Sequence, residues 1–313
     1  MNLLSSIYGV VTAARNRLYD SGRLPVRHLQ APVVSVGNLS VGGAGKTPFV
    51  ILLGEQLKRR GLPFDILSRG YGRESRGVRR VETDGTSREF GDEPLLLARR
   101  LGVPVWVGES RLAAGLAAEK KSGPNLHLLD DGFQHRALAR DFDIVLLSES
   151  DAGDRLLPAG RLREPLASLQ RANAVVLTNA VNSPVLPVQK PIWRVTRGLR
   201  LENPPSRPIV FCAIARPQNF FSQVRTAGIE PAAEISYHDH HAYSESDIAN
   251  LLALRRQHSA NGFLTTEKDA INLGAHLTRL QPLSIAQVTM EFADPMDAVD
   301  TMLRIVDERS RRS

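Results

Sequence analysis

From residue 33 onward, short apolar runs rich in β-branched residues alternate with stretches of helical periodicity. The runs cover 33–36, 63–67, 103–107, 126–129, 142–147 and 174–177. That alternation predicts an α/β protein with a mostly parallel sheet flanked by helices. Six prolines between Pro184 and Pro208 then interrupt the pattern. Proline removes ladder donors and fixes φ, so 184–208 reads as a linker with a short hairpin around 192–201. Beyond it, 209–213, 233–237, 262–265 and 282–290 look like strands separated by helices, including 245–256 and 295–307. The expected organisation is an amphipathic helix in 1–25, a core of 26–183, the linker, and a smaller α/β lobe in 209–313. The basic run at 309–312 reads as a solvated tail.

The first residues follow a different pattern. On a helical wheel Leu3, Leu4, Ile7, Val10, Val11, Ala14 and Leu18 form one stripe, flanked by Arg15 and Arg17, while Ser5, Gly9, Thr12, Asn16 and Asp20 face away. The apolar stretch is too short to span a bilayer, and no cleavage site marks a secretory signal. Two readings stand: a helix packed on the protein's own core, or one lying at a membrane interface.

Composition narrows the setting. A chain of 313 residues can build two lobes or one large α/β domain. Its single cysteine, Cys212, excludes an intrachain disulfide and a multi-cysteine zinc site, which suits a reducing compartment. A net charge of +7 favours an anionic partner: nucleic acid, an anionic lipid surface or a phosphorylated substrate.

The candidate chemistry begins just after the run 33–36, at Ser40-Val41-Gly42-Gly43-Ala44-Gly45-Lys46-Thr47. Small residues let backbone N–H groups turn inward around phosphates, Lys46 supplies a point charge and Thr47 can place its hydroxyl on Mg²⁺. A helix follows, with Pro48 tolerated in its first turn and Gly61 placed to cap its end. The common form of this loop starts with Gly where this chain has Ser40. A second landmark is Asp130-Asp131-Gly132-Phe133-Gln134-His135, at the end of the apolar run 126–129. Carboxylates there can supply the oxygen ligand that a triphosphate-bound Mg²⁺ needs. Adjacent Asp residues cannot share one direction from a strand, so one serves a metal and the other a loop or substrate, in an order the sequence does not decide.

Three further clusters carry charge on loops. Ser68-Arg69-Gly70-Tyr71-Gly72-Arg73 could grip phosphate or belong to an RNA-binding segment. Asp92, in Gly91-Asp92-Glu93-Pro94, reads by itself as a helix N-cap. His238-Asp239-His240-His241 suggests zinc, but one crowded tetrapeptide does not supply a tetrahedral shell.

Together, the segments 34–48, 68–73, 91–94, 130–135, 157–165, 239–240 and 266–269 resemble the tetraacyldisaccharide 4′-kinases, the lipid A 4′-kinases of Gram-negative bacteria. Members of that family also carry Ser or Thr in place of the first loop Gly. The resemblance runs over essentially the whole chain. It implies a P-loop kinase core and transfer of the γ-phosphate of ATP, with Mg²⁺, to the 4′-hydroxyl of an acylated disaccharide 1-phosphate. It also implies Asp92 and His240 as the catalytic pair beside Lys46, and the loop 40–47 as the nucleotide cradle. Thr47 with Asp130 or Asp131 then holds the metal, Arg111, Arg163 and Glu164 complete the phosphate and metal environment, and Arg69, Tyr71, Arg73 and Gln134 face the lipid. The N-terminal helix resembles the family's membrane-associated helix, which implies a peripheral protein at the cytoplasmic face of the inner membrane and no nucleic-acid partner.

The competing reading is a membrane-associated P-loop ATPase switch. Such proteins commonly carry a Lys early in the loop, where this chain has Ser40-Val41. In Thr266-Glu267-Lys268-Asp269 the Lys and Asp are adjacent, unlike a guanine-reading motif. An RNA-binding protein needs interleaved aromatics, and aromatics make up only 5% of the chain.

Overall fold

The computed structural model describes residues 3–43, 45–178, 186, 189–293 and 298–311. Helix α1 (Leu3–Asp20) precedes β1 (Val33–Asn38), α2 (Lys46–Arg59), β2 (Asp65–Ser68), β3 (Arg79–Arg80), α3 (Ser87–Phe90), α4 (Asp92–Leu101), β4 (Val105–Val107) and α5 (Arg111–Ser122). Then come β5 (His127–Asp130), β6 (Phe142–Leu147), β7 (Ala174–Thr178) and β8 (Ile192–Arg200). The second half holds β9 (Pro208–Cys212), α6 (Pro217–Thr226), β10 (Ala233–Ser236), α7 (Glu245–Gln257), β11 (Gly262–Thr266), α8 (Glu267–Leu273), β12 (Leu283–Phe292) and α9 (Ala298–Ser310).

All twelve strands join one sheet in the order β10-β9-β11-β12-β8-β7-β6-β1-β5-β2-β4-β3. Neighbours are parallel except β12 with β8 and β3 with β4. The first-half strands β1, β2, β5 and β6 are buried along their whole length, because helices cover both faces of a parallel sheet. One core packs Phe49 and Leu53 of α2, Leu95 and Leu97 of α4 and Val299 and Met302 of α9 against Val34, Ile66 and Leu128. The second half has its own cores on its two faces, one built on Phe211, Ile248, Leu251 and Phe263, the other on Val210, Phe220, Phe221 and Leu264.

The register of β8 and β12 explains how two halves of one sheet face each other. Residues 192–195 of β8 pair with β7, whereas 195–200 pair with β12. Residues 287–292 of β12 pair with β8, whereas 283–286 pair with β11. Each strand therefore spends part of its length in each half. Because β8 runs out past the carboxyl end of β7 and β12 runs back, the second-half strands point toward the first half. Loops at the carboxyl ends of both sets of strands thus meet at one cleft, where ligands bind in open α/β sheets.

This arrangement corrects the sequence reading of 192–201. No local hairpin forms there: β8 is a single nine-residue strand whose antiparallel partner comes from near the end of the chain. Proline spacing signals a break in the helix–strand rhythm, but not which distant segment completes the pair. Pro184 and Pro187 of the expected linker, and 295–297 of the expected last helix, lie outside the described residues.

Helix α1 buries none of its residues, and its apolar stripe faces outward. Leu3, Leu4, Ile7, Val10, Val11 and Leu18 are 74, 60, 53, 69, 62 and 38% exposed. The opposite, polar face holds the protein. Ser5 Oγ donates to the Leu156 carbonyl (3.1 Å), Tyr8 Oη to the Arg163 carbonyl (3.1 Å) and Asn16 Nδ2 to Glu164 (2.7 Å). Arg136 binds Asp20 at 2.7 Å and lies over the Tyr19 ring. The reading of α1 as a helix packed on the core through its apolar stripe is therefore wrong.

Candidate active site

Strand β1 delivers the phosphate loop to the carboxyl edge of the sheet. Gly42, Gly43 and Gly45 all take positive φ, which only glycine adopts without strain, and Gly45 leads directly into α2. The loop is anchored at its start. Ser40 is fully buried and bridges Leu162, and the Val41 amide donates to the Arg161 carbonyl at 2.8 Å. Asn38 donates to the Ser40 carbonyl (2.7 Å) while its Oδ1 accepts from Lys46 Nζ (3.1 Å) and from Arg163. Ala44 lies outside the described residues.

The paired carboxylates at the end of β5 separate into two roles. Asp130 is the last residue of the strand, whereas Asp131 takes φ 51° and turns its side chain away. Arg163 forks onto Asp131 at 2.9 and 3.1 Å, and Lys46 Nζ lies 3.6 Å away. Burial works against the charge on Asp131, but these cations hold its pKa down to about 2. Asp130 accepts one hydrogen bond, from Ser68 Oγ at 3.1 Å, and its buried Oδ1 has no partner among the described residues. Burial, with the negative charges of Glu93 and Asp131, pushes its pKa up to about 7. A carboxylate so placed fits a cation: Mg²⁺ takes one or two carboxylates and fills its octahedron with a hydroxyl, phosphates and water. No group of three or more metal-ligating side chains occurs among the described residues, and the histidines 238 and 241 bond each other and Asp247 instead of converging on a metal.

Across the cleft, Glu93 and His240 stand beside Asp92, the first residue of α4 and only 4% exposed. Gly91 puts it there: at φ 88°, a Cβ on Gly91 would lie 2.9 Å from the Tyr71 carbonyl oxygen. Asp92 Oδ1 accepts from the adjacent Glu93 amide (2.8 Å), but the N-cap position is taken by Gly91 and no side chain caps the helix, so the helix-cap reading of Asp92 is wrong. Its Oδ2 accepts from His240 Nδ1 (2.8 Å) and Asn272 Nδ2 (3.3 Å), with Lys268 Nζ at 3.9 Å. Burial favours the neutral acid, yet the His240 hydrogen bond and the Lys268 charge prevail and hold the carboxyl below its usual range. The same bond raises His240 against the effect of burial. His240 itself has φ 59° and packs its ring 5.4 Å from that of Tyr71. Lys268, which also binds Glu93 at 3.1 Å, is raised by the carboxylates around it although burial opposes its charge.

The phosphate loop, Asp130, Asp131, His240 and Lys268 line one cleft of about 980 Å³, together with Arg15, Arg69, Tyr71, Arg111, Gln134, His135 and Arg163. Arg111 is buried, and burial with the Arg69 charge lowers its pKa. Burial and the charges of Arg111, Arg140, Arg15 and Arg69 hold His135 down to about 4. Gln134 Nε2 donates to the Asn38 carbonyl at 3.0 Å, tying the Asp-Asp-Gly turn to β1.

Three expected residues do not line this cleft. Asp92 is buried beside it, with its neighbour Glu93 and its partner His240 in the lining. Glu164 binds Asn16 and Arg171, on the side of α1, while its neighbour Arg163 takes the cleft side. Arg73 spends its guanidinium on Ser75, the Gly77 carbonyl and Glu109, clamping its own glycine-rich loop. Conversely, Asn38, Lys268 and Asn272 hold functional groups in place without having been given a role: the first two lay in quoted motifs and Asn272 in none. Lys268 and Asn272 lie four apart, one helical turn, and that spacing after a strand was the available signal.

A family model for tetraacyldisaccharide-1-P 4′-kinase matches residues 1–307. The chain is 49% identical to the tetraacyldisaccharide 4′-kinase of Koribacter versatilis over 99% of both chains. It is 38% identical to that of Geobacter metallireducens over 96% of this chain and 97% of the relative. The crystal structure of LpxK from Aquifex aeolicus in complex with ATP superposes with a TM-score of 0.78 at 35% identity, covering 98% of this chain and 97% of the other.

Proposed function

Since this chain belongs to the tetraacyldisaccharide-1-P 4′-kinase family, we propose how its own residues carry out the transfer of the ATP γ-phosphate to the 4′-hydroxyl of tetraacyldisaccharide 1-phosphate in lipid A synthesis. The observation that carries the assignment is the hydrogen bond between buried Asp92 and His240, a residue that lines one cleft with the phosphate loop. A sugar hydroxyl is a poor nucleophile at neutral pH, and a positioned carboxylate that accepts its proton lowers the barrier. Asp92 is already ionised at neutral pH and accepts that proton. His240 holds the carboxylate in place from the second half, and Lys268 keeps it charged. Glycine N–H groups of the loop and Lys46 bind the triphosphate, while Asn38, Arg163 and Asp131 fix Lys46. Thr47 and Asp130 hold Mg²⁺, with Asp131 as the partner of Lys46 and Arg163. When bound, the ion neutralises charge on the phosphates being parted.

Arg69, Tyr71 and Gln134 face the lipid headgroup, Arg111 completes the phosphate environment, and Arg15 reaches the same cleft from α1, where it donates to the Gln134 carbonyl at 3.0 Å. We further propose that α1 lies in the interface of the inner membrane on its cytoplasmic face, presenting the exposed stripe to acyl chains. Half-burying six aliphatic side chains at ~1 kcal/mol each supports reversible, peripheral attachment. Among the described residues no helix is long and apolar enough to cross a membrane. The test is transfer of label from γ-³²P-ATP to tetraacyldisaccharide 1-phosphate in detergent micelles with Mg²⁺, comparing wild type with Lys46→Ala and Asp92→Ala. Labelled lipid with wild type and none with either variant supports the assignment; ATP hydrolysis without labelled lipid returns the switch-ATPase reading.

A further inference from the structure

We propose that Arg216 is an arginine finger supplied in cis: the second half of the chain lays it across the phosphate loop to grip the γ-phosphoryl group of ATP during transfer, a role that rests on the kinase reading above. Arg216 sits in the turn between β9 and α6, on the second-half wall of the cleft. There the two halves come into van der Waals contact over the phosphate loop. A Cβ built on Gly43 would lie 3.0 Å from Cγ and Cδ of Arg216 and 3.1 Å from its Nε, and one on Gly42 would lie 3.4 Å from the Ala215 Cβ. The aliphatic stem of Arg216 thus rests on the middle of the loop, at a contact that a side chain at position 43 would obstruct.

The head group is placed for an anion. Its Nη2 is buried and has no hydrogen-bond partner among the described residues. The charged neighbour it perturbs is another cation, Arg197, which burial and the Arg216 charge together drive below the ordinary arginine value. Asp131, the carboxylate beside Lys46, does not answer it, since it is held by Arg163 and Lys46. A guanidinium nitrogen withdrawn from water beside a like charge costs free energy, and an anion within reach offsets that cost. The backbone of the loop under it is built to hold phosphate, so the anion is a polyphosphate.

The γ-phosphate is the member of that chain assigned to Arg216 because the reacting end must face Asp92, and Asp92 is bonded to His240 of the same second half. One approach of the halves brings His240 to the base and Arg216 to the phosphate. In the step itself the 4′-oxygen bonds to Pγ as the bond from Pγ to the ADP oxygen breaks, and the hydroxyl proton passes to Asp92. Arg216 exchanges no proton; it donates hydrogen bonds to the non-bridging oxygens as charge spreads over them.

The experiment uses the full-length protein with Arg216→Ala and Arg216→Lys. Calorimetric titration with Mg·ADP and with the non-hydrolysable β,γ-imido analogue of ATP separates the phosphates. Arg216→Ala should weaken the analogue by ~10-fold or more and ADP by less than ~2-fold, and lower kcat by ~10³-fold with the KM for the lipid unchanged. Millimolar guanidinium should restore part of the Arg216→Ala rate, and Arg216→Lys, a point charge without the planar fork, should recover only a fraction of it. Equal weakening of ADP and the analogue, or wild-type analogue binding with kcat within ~5-fold of wild type, overturns the proposal. Thermal melting of the ligand-free variants checks that both remain folded. The two titrations need no lipid, so a wild-type protein that binds nucleotide but labels no lipid would fault the kinase reading and not the Arg216 contact.

Discussion

The two halves of the molecule contribute to the cleft in opposite ways. In the first half, the groups around Lys46 satisfy one another within a contiguous frame: β1 carries the loop, Asn38 ties Lys46 to it, and β5, next to β1 in the sheet, brings Asp131 to Lys46 and Arg163. In the second half, His240 and Lys268 find their partners on the other side, at Asp92 and Glu93. The first half therefore frames the phosphate loop and Lys46 by itself, whereas the base exists in its charged, oriented form only when the second half is in place, and Arg216 meets the loop from that same side. Binding of ADP and phosphoryl transfer should accordingly respond differently to substitutions on the two sides.

The largest effect is expected where the halves meet. Asp92→Asn keeps the shape but removes the proton acceptor, so kcat should fall by ~10²–10⁴-fold while ATP affinity, measured by titration, stays within ~2-fold. A comparable loss of ATP affinity would mean that the halves are not separable and the contrast fails.

Next comes Asp130→Asn, within the first half. The Asp130 pKa of about 7 lies above its unfolded value, so ionisation destabilises the ligand-free fold: the penalty is absent below the unfolded pKa near ~3.9, grows as pH rises and is complete above about 7. Asp130→Asn should thus raise the melting temperature of the ligand-free protein by several degrees at pH 8 and much less at pH 5, while Mg²⁺-dependent activity is lost. Melting curves at the two pH values decide it. An unchanged or lowered melting temperature at pH 8 would remove Asp130 as the strained, metal-seeking member of the pair.

His240→Asn sharpens the comparison from the second half. Without the imidazole, burial raises the Asp92 pKa against the weaker opposition of Lys268, Asn272 and the Glu93 amide, so the acid limb of the kcat/KM profile should move to higher pH. At neutral pH the rate should fall by ~10–100-fold, less than for Asp92→Asn, and should recover in part as pH rises. A profile of unchanged shape would assign His240 a packing role beside Tyr71.

The same contrast governs what could be read from the chain. First-half chemistry is local in sequence: a loop between strand and helix, and two carboxylates ending a strand, carry their own geometric context. Even the different directions of the Asp130 and Asp131 side chains turn on a backbone angle at Asp131 that no residue type dictates. Second-half chemistry is single side chains placed by long-range packing. Lys268 follows a strand with no mark of the carboxylates it will meet, and the pairing of β8 with β12 spans about a third of the chain. Arg73 and Glu164 failed as cleft residues for a related reason: both are charges in promising loops, and only the direction of the side chain, set by the turn around them, decides whether they face ligand or scaffold.

The smallest effect on chemistry is expected from α1, which belongs to neither half's catalytic frame. Its polar face is fastened to the first half through Ser5, Tyr8, Asn16 and Asp20, so substitutions on the outward stripe leave those bonds intact. Ile7→Asp with Val10→Asp should cut binding to anionic vesicles by ~10-fold or more, since each change removes an aliphatic contact and adds a repelled charge. The rate on detergent-dispersed lipid should stay within ~2-fold of wild type, as should the melting temperature, because the replaced side chains touch water and not the core. Vesicle flotation beside the micelle assay measures both. If the micelle rate fell with vesicle binding, the stripe would have to act on the cleft itself, through Arg15 and its bond to the Gln134 carbonyl, and the helix would belong to the catalytic frame of the first half.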